Sequence, residues 1–397
     1  MAQKGTLVVG QSGGPTAVIN RTLVGIVESA LAAEHAVDQI LGLRHGVEGL
    51  LAGDFVDLRR QTPSFLPDLR ETPSSVLGSC RYKLQDDDLD PALAALERVE
   101  ARYFLYIGGN DSADTTHRLA AAARADGYDL RCIGVPKTVD NDLVVTDHCP
   151  GYGSAARFVA HATMEAARDT EAMRRGDPVK ILEVAGRHAG WLAAAATLGR
   201  RSEEEGPHLV YLAERPVTPD EVLADVDAAF RAYGHAVVVL SENQPDPSGV
   251  VLGAADGPRY VDPFGHRYYD SPAAFLARAI VAQLGLRARF EKPGALQRMS
   301  IPYRSETDAA EAEAVGCTAV RLALDGATDL MVVLNRDSDD PYRCTPGTAP
   351  LEAIANRQRL LPDDYIDTAG RGTTEAFRRY AMPLLGAPLP RHARLLP

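Results

Sequence analysis

The feature that most constrains the fold is a repeated order of short apolar run, glycine-containing turn and alanine-rich stretch. The apolar runs are mostly continuous rather than alternating, which is typical of strands buried on both faces of a parallel sheet. They cover residues 6–9, 39–43, 103–107, 132–135, 180–184, 209–212, 236–240 and 330–334. Helices are predicted in the stretches 112–125, 153–173, 219–232 and 305–325. This alternation predicts a doubly wound α/β fold with mostly parallel sheets, in which ligands bind at the carboxyl ends of the strands.

The domain organisation follows from length and from the lack of linkers. A chain of 397 residues is long enough for two or three domains. No Ser/Gly-rich linker and no repeat of 20–50 residues divides it. We therefore expect two Rossmann-like lobes between which the chain crosses more than once. The expected boundaries are 1–140 for the first lobe, 141–340 for the second lobe with crossings back to the first, and 341–397 for a proline-richer extension that wraps the surface.

Charge and composition exclude several classes of protein. The 42 Lys and Arg against 54 Asp and Glu give a net charge of −12, and no dense basic run is present, so we expect no nucleic-acid partner. No apolar run reaches the roughly 18 residues of a spanning helix, and residues 1–5 lead directly into a strand-like segment, so neither a membrane span nor a signal peptide is expected. The five scattered cysteines favour a reducing, cytoplasmic location.

The first glycine-containing turn, Gly-Gln-Ser-Gly-Gly-Pro at 10–15, lies between a predicted strand and a predicted helix. Such a turn either cradles a phosphate with its backbone or simply reverses the chain, and the sequence leaves both readings open. Residues 10–14 also match the Gly-x-Ser-x-Gly elbow of serine hydrolases, with Ser12 as nucleophile. The hydrolase interpretation is disfavoured, because the nine residues before Gly10 provide no earlier strand for an oxyanion loop.

Two further turns carry the polar residues. The stretch 106–115 contains Gly-Gly-Asn-Asp-Ser, in which Asp111 is either a helix cap or a carboxylate beside a phosphate-sized gap that suits magnesium. The stretch 135–142 holds Lys137, Thr138, Asp140 and Asp142 directly after a buried strand. An aspartate can accept a proton from an attacking hydroxyl, and a lysine can neutralise a transferring phosphoryl group. Together these turns predict phosphoryl transfer, although neither a Walker motif nor a protein-kinase set is present.

The motifs resemble the phosphofructokinase family, and within it the pyrophosphate-dependent branch. The most specific string is Pro-Lys-Thr-Val-Asp-Asn-Asp at 136–142, and Ser-Gly-Gly at 12–14 and Gly-Gly-Asn-Asp-Ser at 108–112 accompany it. Further matches follow in order at 77–81, 149–155, 183–187, 241–242 and 292–298, so the resemblance covers about residues 5–335. It implies an active site in the cleft between a donor lobe, 1–140, and a mainly fructose 6-phosphate lobe, 141–340.

The resemblance also implies roles for individual residues. Asp140 would take the proton from the sugar 1-hydroxyl, and Thr138, Lys137 and Asp111 would complete the catalytic set. The phosphoryl donor would contact Gly13, Arg81, Gly109, Asp111 and Lys137. Fructose 6-phosphate would contact Thr138, Asp140, Ala185, Gly186, Arg187, Glu242, Arg289 and Arg298. Magnesium would be held by Asn110, which stands where the family has an aspartate, and by Asp111.

Donor choice depends on two positions in this resemblance. ATP-using members carry glycine where this chain has Asp111 and Lys137. A carboxylate at Asp111 would repel the α-phosphate of a nucleotide, and Lys137 would add positive charge near pyrophosphate, so pyrophosphate is the expected donor. The alternatives are an ATP-dependent kinase and a non-catalytic sensor of sugar phosphates. The resemblance implies a homo-oligomer, dimer or tetramer, and leaves open sedoheptulose 7-phosphate as a further acceptor.

Overall fold

The structure is a computed structural model that describes residues 4–254, 257–263 and 265–394. In chain order, the strands of this part are β1 (Gly5–Gln11), β2 (Val37–Leu43), β3 (Phe55–Asp57), β4 (Ala101–Gly108), β5 (Arg131–Pro136), β6 (Val179–Val184), β7 (Leu209–Tyr211), β8 (Ala236–Ser241), β9 (Tyr260–Val261), β10 (Arg267–Tyr268), β11 (Ala288–Glu291), β12 (Leu330–Asp339) and β13 (Tyr342–Pro350). Each of the eight predicted apolar runs overlaps one of these strands, so the strand predictions are confirmed. The ends agree to within two residues except at β12, which continues five residues beyond the predicted end.

The α-helices lie between the strands. They are α1 (Ile19–Ala32), α2 (Gly46–Ala52), α3 (Phe65–Arg70), α4 (Leu89–Arg98), α5 (Asn110–Ala125), α6 (Tyr152–Ala172), α7 (Trp191–Ala195), α8 (Pro219–Tyr233), α9 (Pro272–Leu284), α10 (Leu296–Met299), α11 (Glu306–Leu324), α12 (Leu351–Ile354) and α13 (Glu375–Ala381). Local sequence explains their ends: α8, for example, starts with a Thr218–Glu221 capping box and Pro219, and Gly234 ends it in the left-handed region. The predicted helices correspond to α5, α6, α8 and α11.

Two mostly parallel sheets form the two lobes. The first sheet has the order β13-β12-β5-β4-β1-β2-β3, in which only the pairs β12–β13 and β2–β3 are antiparallel. The second sheet, β11-β6-β8-β7, is parallel throughout. Strands β1, β6 and β8 are buried along their whole length, which is why their sequences are mainly apolar. The doubly wound, two-lobed architecture is therefore confirmed.

The C-terminal segment differs from the extension predicted for 341–397. Strand β13 belongs to the first sheet, and its prolines Pro346 and Pro350 are compatible with this position because β13 is an edge strand. Further along, Phe377 and Tyr380 are buried in the core of the second lobe. The segment thus packs into both lobes. Among the described residues, no helix is long and apolar enough to cross a membrane.

Candidate active site

The carboxyl ends of both sheets open onto one cleft with a cavity of about 340 Å³. The turns after β1, β4 and β5 line it from the first lobe, and the segments after β6, β8 and β11 line it from the second. The lining residues are Gly13, Gly14, Arg81, Gly109, Asn110, Asp111, Ser112, Lys137, Thr138, Val139, Asp140, Asp142, Ala185, Arg187, Glu242, His266, Tyr268, Lys292, Gly294, Ala295, Gln297 and Arg298. The predicted turns therefore meet at one place.

Lys137 lies at the floor of the cleft and is only 4% exposed. Its Nζ donates a hydrogen bond of 2.9 Å to the carbonyl oxygen of Gly14, so the turn after β5 is bonded to the turn after β1. Gly13 makes this approach possible, since its φ is +73° and a Cβ there would lie 3.2 Å from Lys137 Nζ. Burial lowers the pKa of Lys137 to about 8, against the opposing effect of Asp140.

Asp140 lies three residues further along the same turn and is partly exposed to the cleft. Its backbone N–H donates to Thr138 Oγ1 at 3.1 Å, and the Thr138 hydroxyl donates to Asp142 Oδ1 at 3.1 Å. Desolvation, together with the nearby Asp142 carboxylate, raises the pKa of Asp140 to about 7, while Arg187 opposes the shift. A carboxylate with a pKa near neutrality is suited to general-base catalysis.

The turn that carries Asp140 is held from behind by residues far away in sequence. Asn141 adopts a left-handed conformation with φ of +55° and is fully buried. Its side-chain oxygen accepts from Cys149 N–H at 3.0 Å, and its amide donates to the Tyr380 hydroxyl at 2.9 Å. Arg359 donates to the carbonyls of Asn141, Thr146 and Asp147 and stacks 4.6 Å from the Trp191 ring. Neither Arg359 nor Tyr380 could be predicted from the sequence as part of the site, because only the tertiary fold brings them to this turn.

The second lobe presents cations and a carboxylate to the opposite side of the cleft. The chain turns sharply at Gly186 and Arg187, where φ is +134° and +47°, and this directs Arg187 into the cleft lining. Burial raises the pKa of Glu242. Burial lowers the pKa of Arg298, and its Nε is buried without a hydrogen bond to any described residue. An unsatisfied guanidinium nitrogen next to a polar cavity indicates an anion site.

Arg289 is the predicted sugar-phosphate contact that does not line the cavity. It lies on the edge strand β11, and its Nε pairs with Asp177 at 2.8 Å. Gly186 is not a lining residue either, although both of its neighbours are. The backbone N–H of Gly13 donates a hydrogen bond to the Cys80 carbonyl oxygen at 3.3 Å, so this N–H is already used within the protein. In this chain Gly13 provides space for Lys137.

The end of the cleft beside β4 is formed by Asp111, Gly109 and Arg81, together with the β9–β10 hairpin, which was not predicted from the sequence. His266 Nε2 lies 3.8 Å from Asp111 Oδ2, and Arg81 Nη1 pairs with Asp262 Oδ2 at 2.5 Å. Asp262 and His266 both belong to residues 257–270, which contain β9 and β10. Short polar strands of two residues leave no periodic pattern, so this contribution could not be predicted.

A divalent metal ion would fit at Asp111. Burial raises the pKa of this half-buried carboxylate, and it lines the cavity as an oxygen ligand of the kind that hard cations prefer. Asn110 is less available, because its Oδ1 accepts the Asp111 N–H at 2.8 Å and its amide donates to Arg357 O at 3.4 Å. Asp111 would therefore be the main protein ligand.

Comparison with known proteins identifies the class. The family profile named Phosphofructokinase matches residues 6–323, and the chain belongs to this family.

The similar proteins narrow the class further. The chain is 41% identical over 392 residues to a pyrophosphate–fructose 6-phosphate 1-phosphotransferase of Xanthomonas campestris pv. campestris, covering 97% of this chain and 93% of the relative. It is 39% identical to the protein of the same name from Halomonas elongata, covering 94% and 90%. The crystal structure of a pyrophosphate-dependent phosphofructokinase from Nitrosospira multiformis superposes with a TM-score of 0.89 at 34% identity, covering 99% of this chain and 95% of the other.

The clamp made by Arg359 yields a prediction. Arg359→Lys removes the planar fork that bonds three carbonyls, so backbone amides in 138–149 should exchange about tenfold faster in hydrogen–deuterium exchange. Arg357→Lys, at an exposed position two residues away, is the matched control and should leave the exchange unchanged. Equal protection of this segment in both variants would contradict the assigned role.

Proposed function

We propose that this chain transfers a phosphoryl group from pyrophosphate to the 1-hydroxyl of fructose 6-phosphate, giving fructose 1,6-bisphosphate and phosphate. The relatives named above carry this activity in their names and match over nearly the whole chain. The observation that carries the proposal is the presence of the buried Lys137 and the partly exposed Asp140 in one turn that lines the cleft. One group neutralises the donor, and the other activates the acceptor.

Proton transfer at the acceptor falls to Asp140. The sugar 1-hydroxyl gives its proton to the Asp140 carboxylate as its oxygen forms a bond to the terminal phosphorus of pyrophosphate. The bond from that phosphorus to the bridging oxygen breaks, and phosphate leaves with the electron pair. Thr138 and its bond to the Asp140 N–H fix the carboxylate in place. The protein contributes mainly positioning and charge neutralisation, as is typical of phosphoryl transfer.

Positive charge at the donor end comes from Lys137 and Arg81, and Arg298, which we assign to the sugar phosphate, lies near enough to affect both. Each of the three lines the cavity. The mutual repulsion of the cations is evident in Arg298, whose pKa is lowered by burial and then by Arg81. The pKa of Lys137 is likewise lowered by Arg298 and Arg81, in addition to the lowering by its own burial. The carboxylates Asp111, Asp140, Asp142 and Glu242 also line the cavity. The cluster of like charges formed by Lys137, Arg81 and Arg298 nevertheless favours a compact polyanion, and pyrophosphate is such an ion.

Donor selection depends on Asp111. Its carboxylate lies at the N-terminal end of α5, within the part of the cavity that a longer donor would have to cross. The anionic oxygens of a nucleotide would be repelled by this carboxylate, whereas the shorter pyrophosphate would avoid that repulsion. We infer that a Mg²⁺ ion held by Asp111 would neutralise part of the donor charge when bound.

The sugar phosphate lies against the second lobe in this proposal. Arg187 and the unsatisfied Nε of Arg298 bind its phosphate, and Glu242 accepts hydrogen bonds from sugar hydroxyls. Ala185 forms the neighbouring wall, and its N–H donates to Gln297 Oε1 at 3.2 Å, while Gly186 contributes the sharp turn that follows it. Arg289 is omitted from this set, because its guanidinium is paired with Asp177 outside the cavity. A larger sugar such as sedoheptulose 7-phosphate remains a candidate acceptor.

We also infer a homo-oligomer that works in the cytoplasm. Val281, Phe290 and Leu296 of α9, β11 and α10 expose 44–58% of their surfaces, and β11 is an unpaired sheet edge, which a second copy of the chain could cover. The five cysteines are free, as expected in a reducing compartment.

The test of the base is Asp140→Asn. This change keeps the shape of the side chain and removes its ability to accept the proton, so kcat should fall by about 10²–10⁴ while KM for both substrates changes little. The assay couples fructose 1,6-bisphosphate formation to an optical signal. Turnover within about threefold of the wild type would remove Asp140 from this role.

The pH profile gives an independent prediction. Asp140 must be ionised to act as a base, so kcat/KM should fall as the pH drops through about 7. Lys137 must be protonated to neutralise the donor, so kcat/KM should also fall as the pH rises through about 8. In Lys137→Arg, which stays protonated, the alkaline limb should disappear. A limb that persists in this variant would belong to the donor's own ionisation and contradict the role of Lys137.

A further inference from the structure

Strands β9 and β10, with the described residues 257–263 and 265–270 around them, form a small hairpin outside both sheets. Strands β9 and β10 pair only with each other, and the exposed surfaces of Tyr260 and Val261 are 58% and 48%. The hairpin follows β8 of the second lobe, yet three of its side chains reach the donor end of the first lobe. A largely solvated hairpin of this size has little apolar packing of its own, so these polar contacts fix its position.

Asp262 is the centre of these contacts. In contrast to the exposed strands beside it, Asp262 is only 5% exposed. Its Oδ2 accepts from Arg81 Nη1 at 2.5 Å and from the Tyr268 hydroxyl at 3.2 Å, and its Oδ1 accepts from His266 N–H at 2.9 Å. Burial alone would raise the pKa of Asp262, but the His266 and Arg81 hydrogen bonds outweigh it and hold the pKa at about 2. Asp262 is therefore a carboxylate at working pH.

Arg81 is held along one side only. Asp262 and the Tyr268 hydroxyl both contact its Nη1, and the Tyr268 ring lies 5.7 Å from the guanidinium carbon. Its Nε and Nη2 make no hydrogen bond to any described residue, and Arg81 lines the cavity. One nitrogen of the fork is thus fixed, and the other N–H groups remain to bind an anion.

Such an anchor is needed because cations surround Arg81. Arg298 and Lys137 line the same cavity, and their positive charges repel that of Arg81. Among the described residues of the first lobe, no carboxylate contacts Arg81 to reduce this repulsion. A long arginine side chain under this repulsion would move towards solvent when no anion is bound. Asp262 opposes that movement from the hairpin.

We propose that Asp262 is a positioning residue for the phosphoryl donor, which holds Arg81 by Nη1 so that its remaining N–H groups face pyrophosphate. This inference rests on the proposed function and adds to it a residue from the second lobe that acts on the donor. Because the contact lies at the donor end, it affects pyrophosphate binding and leaves the sugar-phosphate side unchanged. His266 lies 3.8 Å from Asp111, so the hairpin also reaches this second carboxylate at the donor end.

The experiment measures steady-state kinetics of the full chain with each substrate varied in turn. Asp262→Asn keeps the side chain's shape and weakens its hold on the guanidinium. KM for pyrophosphate should rise about tenfold, while KM for fructose 6-phosphate stays within about twofold. Asp270→Asn is the matched control, because Asp270 pairs with Arg259 at the base of the same hairpin and is not a lining residue. Its kinetics should equal those of the wild type.

A double variant separates positioning from general damage. If Asp262 acts through Arg81, then Asp262→Asn should add nothing to the effect of Arg81→Gln on KM for pyrophosphate. Equal rises in both KM values, or effects of the two changes that multiply, would overturn the proposal. Should Asp262→Asn fail to fold in a thermal scan, Tyr268→Phe removes the second contact and should raise KM for pyrophosphate alone. No turnover of pyrophosphate by the wild type would instead contradict the proposed function, and this inference with it.

Discussion

The bond from the buried Lys137 ammonium to the Gly14 carbonyl is the contact on which the site depends. It joins the turn after β5 to the turn after β1, and Gly13 leaves the space for it. Burial without a carboxylate in direct contact keeps this charge weakly compensated, which its lowered pKa reflects. An incoming polyanion supplies the missing counter-charge. In the proposed function the same turn places Asp140 against the acceptor, so one short segment would couple donor charge to acceptor activation.

Cations gathered in a cleft repel one another, and the structure offsets this cost with contacts outside the reacting centre. Arg359 fixes the backbone behind Asp140 through three carbonyls, and Asp262 holds Arg81 from the hairpin. Neither Arg359 nor Asp262 takes part directly in the proposed phosphoryl transfer. They preorganise groups that do, so less reorganisation is required when the donor binds. This explains why the chain crosses repeatedly between lobes: each lobe supplies supports for the other's site residues.

The sequence was sufficient for the parts of the site that are local. Strands such as β1 and β8 are mainly apolar because both faces are buried, which made them predictable. Lys137, Thr138 and Asp140 follow one strand within a few residues, so their meeting was predictable too. Arg359, Tyr380 and Asp262 contact the site from distant parts of the chain, and no periodicity or spacing encodes such contacts. For Arg289 the resemblance implies a contact with the sugar phosphate, whereas in the structure its guanidinium pairs with Asp177. Strand β13 was missed because its prolines are tolerated only at a sheet edge.

The central claim, that the cations and Asp111 together select pyrophosphate, is tested most directly by initial rates with each donor. The wild-type chain is assayed with pyrophosphate or ATP as the sole donor, at fixed fructose 6-phosphate and Mg²⁺. If the cations and Asp111 select pyrophosphate, its kcat/KM should be at least about a hundredfold above that for ATP. A kcat/KM for ATP that equals or exceeds the value for pyrophosphate would contradict it.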